Sequence, residues 1–216
     1  MEIINGLSQV NQLSKATQNL DSYSCVFLGG SGEMYVRLME TKTNLQPSLT
    51  ATYHLFDQCI QLHKPVFAIC LGMQLLARYL GEQILTKDHG KGELGSILVH
   101  ATTQSKQDPI FKISPNHYYV QHGHQEAVAN LPKDCTLLAH NDHNSIQAFR
   151  YKDHIYAVQF HPEHNMVQQE ERAKLYKEHY PEYGYDPSDM IAGLKPSTES
   201  TQIMIDFINQ HHKPTS

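Results

Sequence analysis

The sequence lacks the features that mark nucleic-acid-binding and membrane proteins. Lysine and arginine total 17 of 216 residues, no basic run occurs, and the formal net charge is −5, whereas a phosphate-binding surface needs clustered basic residues. The longest apolar stretch, residues 66–77, is interrupted by Gly72 and Gln74 and is shorter than the ~20 apolar residues that span a bilayer. Residues 1–6 have neither the basic nor the apolar part of a signal peptide. We therefore expect a cytoplasmic protein that binds neither nucleic acid nor membranes.

Cysteine pairs and metal-ligand motifs are also missing. None of the four cysteines forms a C-x-x-C pair, and the chain is long for a scaffold held together by disulfides. Histidine is abundant, yet no H-E-x-x-H motif and no zinc-ligand spacing occurs. We predict no metal and no cofactor, and we interpret Cys25, Cys59 and Cys135 as small buried residues.

Two apolar runs predict strands of a buried sheet. Residues 25–28 lead into a glycine loop and residues 65–69 lead into Cys70, as parallel strands of α/β proteins do. Residues 49–62 and 71–80 carry apolar side chains at helical spacing. This alternation predicts an α/β fold with three layers, in which an open, mostly parallel sheet has helices on both faces.

The other segments predict a single domain over residues 1–216. Residues 2–7 suggest a short strand and residues 9–19 a helix. Residues 96–160 contain short, closely spaced strand patterns, which predict a small antiparallel section. Residues 165–216 are interpreted as a helical extension packed on the domain.

Cys70 lies between the second predicted strand and the helix that follows it. A strand, a tight turn and a helix form the nucleophile elbow of serine hydrolases, here with cysteine as the nucleophile. The turn needs small residues two positions to either side, and Ala68 and Gly72 provide them. The helix N-terminus favours a thiolate, and the N–H of Leu71 points to where an oxyanion would form. A buried cysteine at a strand end is the commoner alternative.

A second candidate segment is His161-Pro162-Glu163, which follows an alternating strand pattern. Pro162 favours extended geometry at the residue before it. Glu163 can accept a hydrogen bond from one ring nitrogen of His161 and leave the other nitrogen to take a proton from Cys70. Alone, this tripeptide is a weak signal, because an ordinary polar strand end has the same appearance.

The glycine loop of residues 29–32 offers backbone amides to an anion. It lacks the lysine of a phosphate-binding P-loop, and Tyr35 stands where a G-x-G-x-x-G motif needs its last glycine. An oxyanion hole formed by the N–H groups of Gly30 and Leu71 is the better interpretation.

Together these segments resemble the class I glutamine amidotransferases, in particular stand-alone proteins similar to the glutaminase domain of GMP synthase. Residues 70–74 (Cys-Leu-Gly-Met-Gln) and 159–163 (Gln-Phe-His-Pro-Glu) are similar to the two most specific motifs of that family. Residues 30–32 resemble its oxyanion loop and residues 121–124 its substrate-binding His-Gly strand. The resemblance covers roughly residues 24–164 and implies a flavodoxin-like fold.

The resemblance also implies a role for each matching residue. Cys70 would attack the side-chain amide of glutamine, while Gly30 and Leu71 would stabilise the oxyanion. His161, oriented by Glu163, would pass the proton to the leaving ammonia. The residues implied to hold the substrate are Gly32, Gln74, Gln121 and Gly123.

The sequence departs from the family at several positions. Ser31 replaces a proline and Ala68 a glycine, and both changes are tolerable. His124 stands where GMP synthases carry aspartate, which puts side-chain contacts there in doubt. Only residues 1–25 precede Val26, so the first strand–helix unit of the family is expected to be missing.

Three functions stay open at this point. The chain could be an ammonia-donating glutaminase that serves a separate synthetase subunit. It could be a free-standing hydrolase of γ-glutamyl amides or peptides, or a non-catalytic binding or regulatory protein that keeps the fold. The expected ligand is glutamine or a γ-glutamyl compound, and a homo-oligomer is an open alternative.

Overall fold

A computed structural model of the chain describes residues 1–178 and 186–211. The helices are α1 (Val10–Gln18), α2 (Val36–Thr41), α3 (Gln46–Gln61), α4 (Leu71–Tyr79), α5 (Met166–Leu175), α6 (Pro187–Ala192) and α7 (Thr198–His211). The strands are β1 (Val26–Leu28), β2 (Val66–Ile69), β3 (Ile84–Leu85), β4 (Glu93–Ala101), β5 (His117–His124), β6 (Ala127–Val128), β7 (Cys135–His140), β8 (Ala148–Tyr151) and β9 (Ile155–Val158). No helix in the described ranges combines the length and the hydropathy that a bilayer crossing requires.

The main sheet has seven strands in the order β1-β2-β9-β8-β7-β4-β5, and β3 pairs with β6 separately. Strands β1, β2 and β9 are parallel, whereas every further pairing in the main sheet is antiparallel. The predicted α/β class is confirmed, but the prediction of a mostly parallel sheet was wrong, because four of the six pairings in the main sheet are antiparallel. The short connections from β7 to β8 and from β8 to β9 explain this, because a parallel pairing needs a crossover of a dozen or more residues.

Helices cover both faces of the sheet. Val66 and Ala68 of β2 belong to the core cluster that includes residues of α1, α3 and α4. Phe67 and Ile69 point the other way and belong to the cluster that includes α7, where the rings of Phe67 and Phe207 lie 5.1 Å apart. Successive residues of a strand face opposite sides, so these two clusters establish the predicted three layers.

The front of the chain differs from the sequence prediction. Residues 2–7 form no strand, because the side-chain oxygen of Asn5 accepts hydrogen bonds from the N–H groups of Leu7 (3.0 Å) and Ser8 (3.2 Å) and folds the segment into a turn. The helix predicted next is confirmed as α1. Strand β1 lies at the edge of the sheet, with Phe27 40% exposed, so the prediction that it is a buried strand was wrong.

In the part of the chain that the structure describes, three helices follow the last strand. Residues of α5 and α6 share a small apolar cluster of Ala173, Met190 and Leu194, and α7 buries Ile203 and Phe207 against the sheet. These contacts fit a helical extension packed on the rest of the chain. Residues 179–185 and 212–216 of the predicted extension lie outside the described ranges, and its boundary at residue 165 stays a prediction.

Candidate active site

Cys70 occupies a strained turn between β2 and α4. Its backbone angles are φ 53° and ψ −106°, a region that side-chain-bearing residues rarely adopt and that costs about 1–3 kcal/mol. Its N–H donates to the carbonyl oxygen of Val158 at 2.8 Å, so the parallel strand β9 holds the turn. Strand, tight turn and helix follow one another as the sequence predicted. The N–H of Leu71 begins α4, where no intrahelical acceptor precedes it.

Two glycines permit the close packing around this turn. A Cβ on Gly72 would lie 2.3 Å from the backbone oxygen of Leu28, at the end of β1. A Cβ on Gly30 would lie 2.9 Å from the His161 ring and 3.1 Å from the Cβ of Cys70. The backbone of Gly30 therefore lies directly against the side chains of Cys70 and His161, where the predicted oxyanion-hole N–H would have to be.

His161 is held from two sides. Its backbone N–H donates to the carbonyl oxygen of Gln121 in β5 at 2.8 Å, and its Nδ1 lies 2.7 Å from Oε1 of Glu163. The side chain is almost fully buried. With Nδ1–H donating to Glu163, the Nε2 atom is left to face Cys70, as a general base requires.

The charges of His161 and Glu163 stabilise each other. Burial alone would lower the pKa of His161, but the charge and hydrogen bond of Cys70, and then those of Glu163, raise it to about 9. Burial alone would raise the pKa of Glu163, but the hydrogen bond and charge of His161 hold it below its usual value. The arrangement therefore stabilises the protonated imidazole of His161 between the Cys70 side chain and the Glu163 carboxylate.

Comparison with known protein families is consistent with this geometry. The model of the family "Glutamine amidotransferase class-I" matches residues 8–178. The chain belongs to the class I glutamine amidotransferase family. Among curated relatives, a glutamine-hydrolyzing GMP synthase subunit of Methanocaldococcus jannaschii is 29% identical over 118 residues, which cover 54% of this chain and 60% of that protein. A glutamine amidotransferase-like protein of Acanthamoeba polyphaga mimivirus is 28% identical over 189 residues, which cover 88% of this chain and 77% of that protein.

Solved structures confirm the amidotransferase fold. A glutamine amidotransferase from Thermotoga maritima superposes with a TM-score of 0.69 at 22% identity, covering 89% of this chain and 79% of that one. The match to the first curated relatives is shorter: it covers 20% of GMP synthase from Petrotoga mobilis and 60% of the Methanocaldococcus protein. The whole activity of those proteins therefore does not transfer to this chain by similarity alone.

The predicted substrate residues of this amidotransferase fall into two groups. Gln74 and Gln121 have internal partners: Gln74 Nε2 donates to the Glu126 carbonyl at 2.6 Å, and Gln121 Nε2 donates to the Lys195 carbonyl at 2.8 Å. Gly32 and Gly123, in contrast, line an open cleft of about 1070 Å³. The roles of all four in binding substrate stay predictions, and the two glycines are the ones placed beside open space.

A buried polar network next to this cleft was not predicted. Glu93 lies at its centre, and the ring of His122 lies beside it. Burial lowers the pKa of His122 to about 3, so this ring is neutral at pH 7. Glu93, His122 and His124 bring potential metal-ligand atoms within 4.8 Å of one another. The Glu93 carboxylate is already used by four side-chain donors: His124 (3.1 Å), Asn141 (2.5 Å), Asn144 (2.8 Å) and Gln147 (2.6 Å). This saturation favours a structural network, and the expectation that no metal binds stays a prediction.

Sequence analysis also missed Arg172. This residue of α5 lies nine positions after Glu163 in the helical tail, outside the motifs that carry the resemblance to the family. Its Nη1 atom is 3.3 Å from Nε2 of His161. No motif or spacing in the sequence indicated that α5 reaches the candidate active site.

Proposed function

We propose that this chain hydrolyses the side-chain amide of glutamine through a γ-glutamyl thioester on Cys70. The observation that carries the proposal is the packing of Gly30 against both Cys70 and His161, with Glu163 on the far nitrogen of His161. The groups proposed as nucleophile, base, orienting carboxylate and backbone donor therefore lie close together, which supports acyl-transfer chemistry at this site.

The first half of the reaction forms the thioester. The Cys70 thiolate attacks the amide carbon of glutamine, and the carbonyl oxygen becomes an oxyanion facing the N–H groups of Gly30 and Leu71. As the C–N bond breaks, the His161 imidazolium gives its Nε2 proton to the leaving nitrogen. Ammonia departs, and the γ-glutamyl group stays on sulfur.

The second half releases glutamate. A water molecule takes the place of ammonia, neutral His161 removes its proton, and the resulting hydroxide attacks the thioester carbon. The C–S bond breaks and the Cys70 thiolate is restored beside a protonated His161. The sum is glutamine plus water giving glutamate plus ammonia, with no external oxidant or cofactor.

The fate of the ammonia is the finer part of the proposal. Several relatives that match this chain are named as one subunit of a glutamine-hydrolyzing GMP synthase, and such a name denotes a protein that works with a further subunit. We propose that a separate synthetase subunit receives the ammonia in the cytoplasm.

A second candidate function has an observation in its favour. The cleft beside Gly32 and Gly123 continues along β4 to Leu98 and His100 and is larger than glutamine alone requires. A hydrolase of γ-glutamyl amides or peptides would place a bulky leaving group there, with the same steps at Cys70.

We expect 6-diazo-5-oxo-norleucine, an electrophilic glutamine analogue, to modify Cys70 alone. Burial raises the pKa of Cys59 and of Cys135 to about 12, so both stay as unreactive thiols at neutral pH. Intact-mass measurement and peptide mapping give the site, with Cys70→Ala as the control. Ammonia release is then compared for glutamine and for γ-glutamyl dipeptides. A folded chain that is neither labelled nor active on either substrate would instead be the non-catalytic protein.

We also expect the rate of glutamine hydrolysis to fall as pH rises through about 9. The raised pKa of His161 keeps it protonated up to about that pH, and the neutral form above it cannot protonate the leaving nitrogen. Glu163→Gln removes one of the charges that raise this pKa, so its descending limb should begin at lower pH. The check is the pH profile of kcat for both proteins, and an identical limb in the variant would contradict the assignment to His161.

A further inference from the structure

One basic side chain of α5 reaches the catalytic centre. Arg172 Nη1 lies 3.3 Å from His161 Nε2, and Nη2 lies 3.4 Å from the carbonyl oxygen of Gly123. The guanidinium carbon is 5.9 Å from the centre of the Tyr176 ring. Both distances to the polar atoms are long for charge-assisted hydrogen bonds, so the guanidinium is held in place loosely.

Arg172 differs from the other arginines of the chain in its partners. Arg37, Arg78 and Arg150 each lie within 4.0 Å of a carboxylate oxygen. Within residues 1–178 and 186–211, no carboxylate lies within that distance of Arg172. A half-buried guanidinium without a counter-charge is unfavourable, and a planar carboxylate is the group that its geometry matches best.

Arg172 of α5 and Tyr176, the residue directly after α5, cover the glycines at which the substrate is expected. A Cβ on Gly123 would lie 3.1 Å from the guanidinium carbon of Arg172, and a Cβ on Gly32 would lie 2.7 Å from the hydroxyl oxygen of Tyr176. All four residues line the open cleft beside the catalytic centre. In an extended glutamine the α-carboxylate lies about 5 Å from the side-chain amide carbon, so a substrate held at Cys70 has its carboxylate close to Arg172.

We propose that Arg172 binds the α-carboxylate of the substrate, which restricts the site to γ-glutamyl compounds with a free α-carboxylate. The inference rests on the proposed function, because it takes glutamine or a γ-glutamyl relative as the ligand.

The first test compares glutamine with glutaminamide, in which an amide replaces the α-carboxylate. The unmodified chain should prefer glutamine, and Arg172→Met should raise KM for glutamine about 10- to 100-fold, as expected for one charge-assisted pair. The change should be much smaller for glutaminamide, which lacks the charge to be bound. Arg172→Lys should recover part of the preference. The matched control is Lys174→Met, which removes an exposed cation of the same helix. This variant should leave KM for glutamine and KM for glutaminamide unchanged.

A second test reads binding without hydrolysis. Iodoacetamide carries no carboxylate, so it should alkylate Cys70 independently of Arg172. Bound glutamine should slow this alkylation in the unmodified chain but not in Arg172→Met. An equal rise in KM for glutamine and for glutaminamide in Arg172→Met would overturn the role of Arg172 but not the proposed function. Protection by glutamine that is unchanged in Arg172→Met would have the same meaning. Protection without any hydrolysis would overturn the proposed function and leave the carboxylate site standing. Neither protection nor hydrolysis in the unmodified chain would overturn both.

Discussion

The His161→Ala variant is expected to hydrolyse glutamine about 10³- to 10⁴-fold more slowly than the unmodified chain. The imidazole has two tasks in the proposed mechanism, since it protonates the leaving nitrogen and later activates water. Alanine can do neither, and Cys70 loses the cation that accompanies its thiolate. Steady-state ammonia release at saturating glutamine gives kcat for both proteins.

A control separates this effect from the loss of any histidine. His54 is an exposed residue of α3, so His54→Ala should keep full activity, and circular dichroism should show both variants folded. A rate near normal in His161→Ala would mean that another group acts as the base. His164, whose ring stacks on that of His161 at 4.8 Å, would then be the first residue to test.

Gly72→Ala is expected to destroy the nucleophile turn. The added Cβ would lie 2.3 Å from the backbone oxygen and 3.1 Å from the backbone carbon of Leu28. Because the obstacle is main chain, no side-chain rotation relieves the clash, and either β1 or the turn must move. We expect labelling of Cys70 by the glutamine analogue to be lost and the free energy of unfolding to fall by about 1–3 kcal/mol or more.

Gly29→Ala is the matched control for this substitution. A Cβ on Gly29 would meet no atom within 4 Å, although the residue lies in the loop directly after β1. Gly29→Ala should therefore keep both labelling and the urea midpoint of unfolding. If Gly72→Ala behaves like this control, β1 yields to the added methyl group and the close packing is not needed for the turn.

The nucleophile turn could be predicted from the sequence because its determinants are local. An apolar run, Cys70, and small residues at Ala68 and Gly72 specify strand, turn and helix within a few positions. The pairing of His161 with Glu163 is local too, since two positions separate them in the chain. The family motifs relate these two distant segments to one site, which local patterns alone could not do.

The residues that could not be predicted depend on distant parts of the chain. Arg172 reaches His161 because α5 packs against the site, and Glu93 finds its donors on other strands and loops. The local sequence around Arg172 or Glu93 does not indicate which distant residues each side chain will contact. The strand predicted near Asn5 does not form for the opposite reason. A local hydrogen bond to the Asn5 side chain stabilises a turn there, and the weak apolar pattern is not enough to form a strand. The exposure of Phe27 follows from strand order, which the sequence of β1 does not contain.

The proposed nucleophile, Cys70, and the proposed base, His161, are each held by a main-chain hydrogen bond. The Cys70 amide is held by Val158 in β9, and the His161 amide is held by Gln121 in β5. The acceptors are carbonyl oxygens, so these two anchors do not depend on which side chains stand at the acceptor positions. Separating the Cys70 and His161 side chains would require breaking these hydrogen bonds to β9 and β5, so we expect the proposed activity to be lost on heating together with the folded sheet.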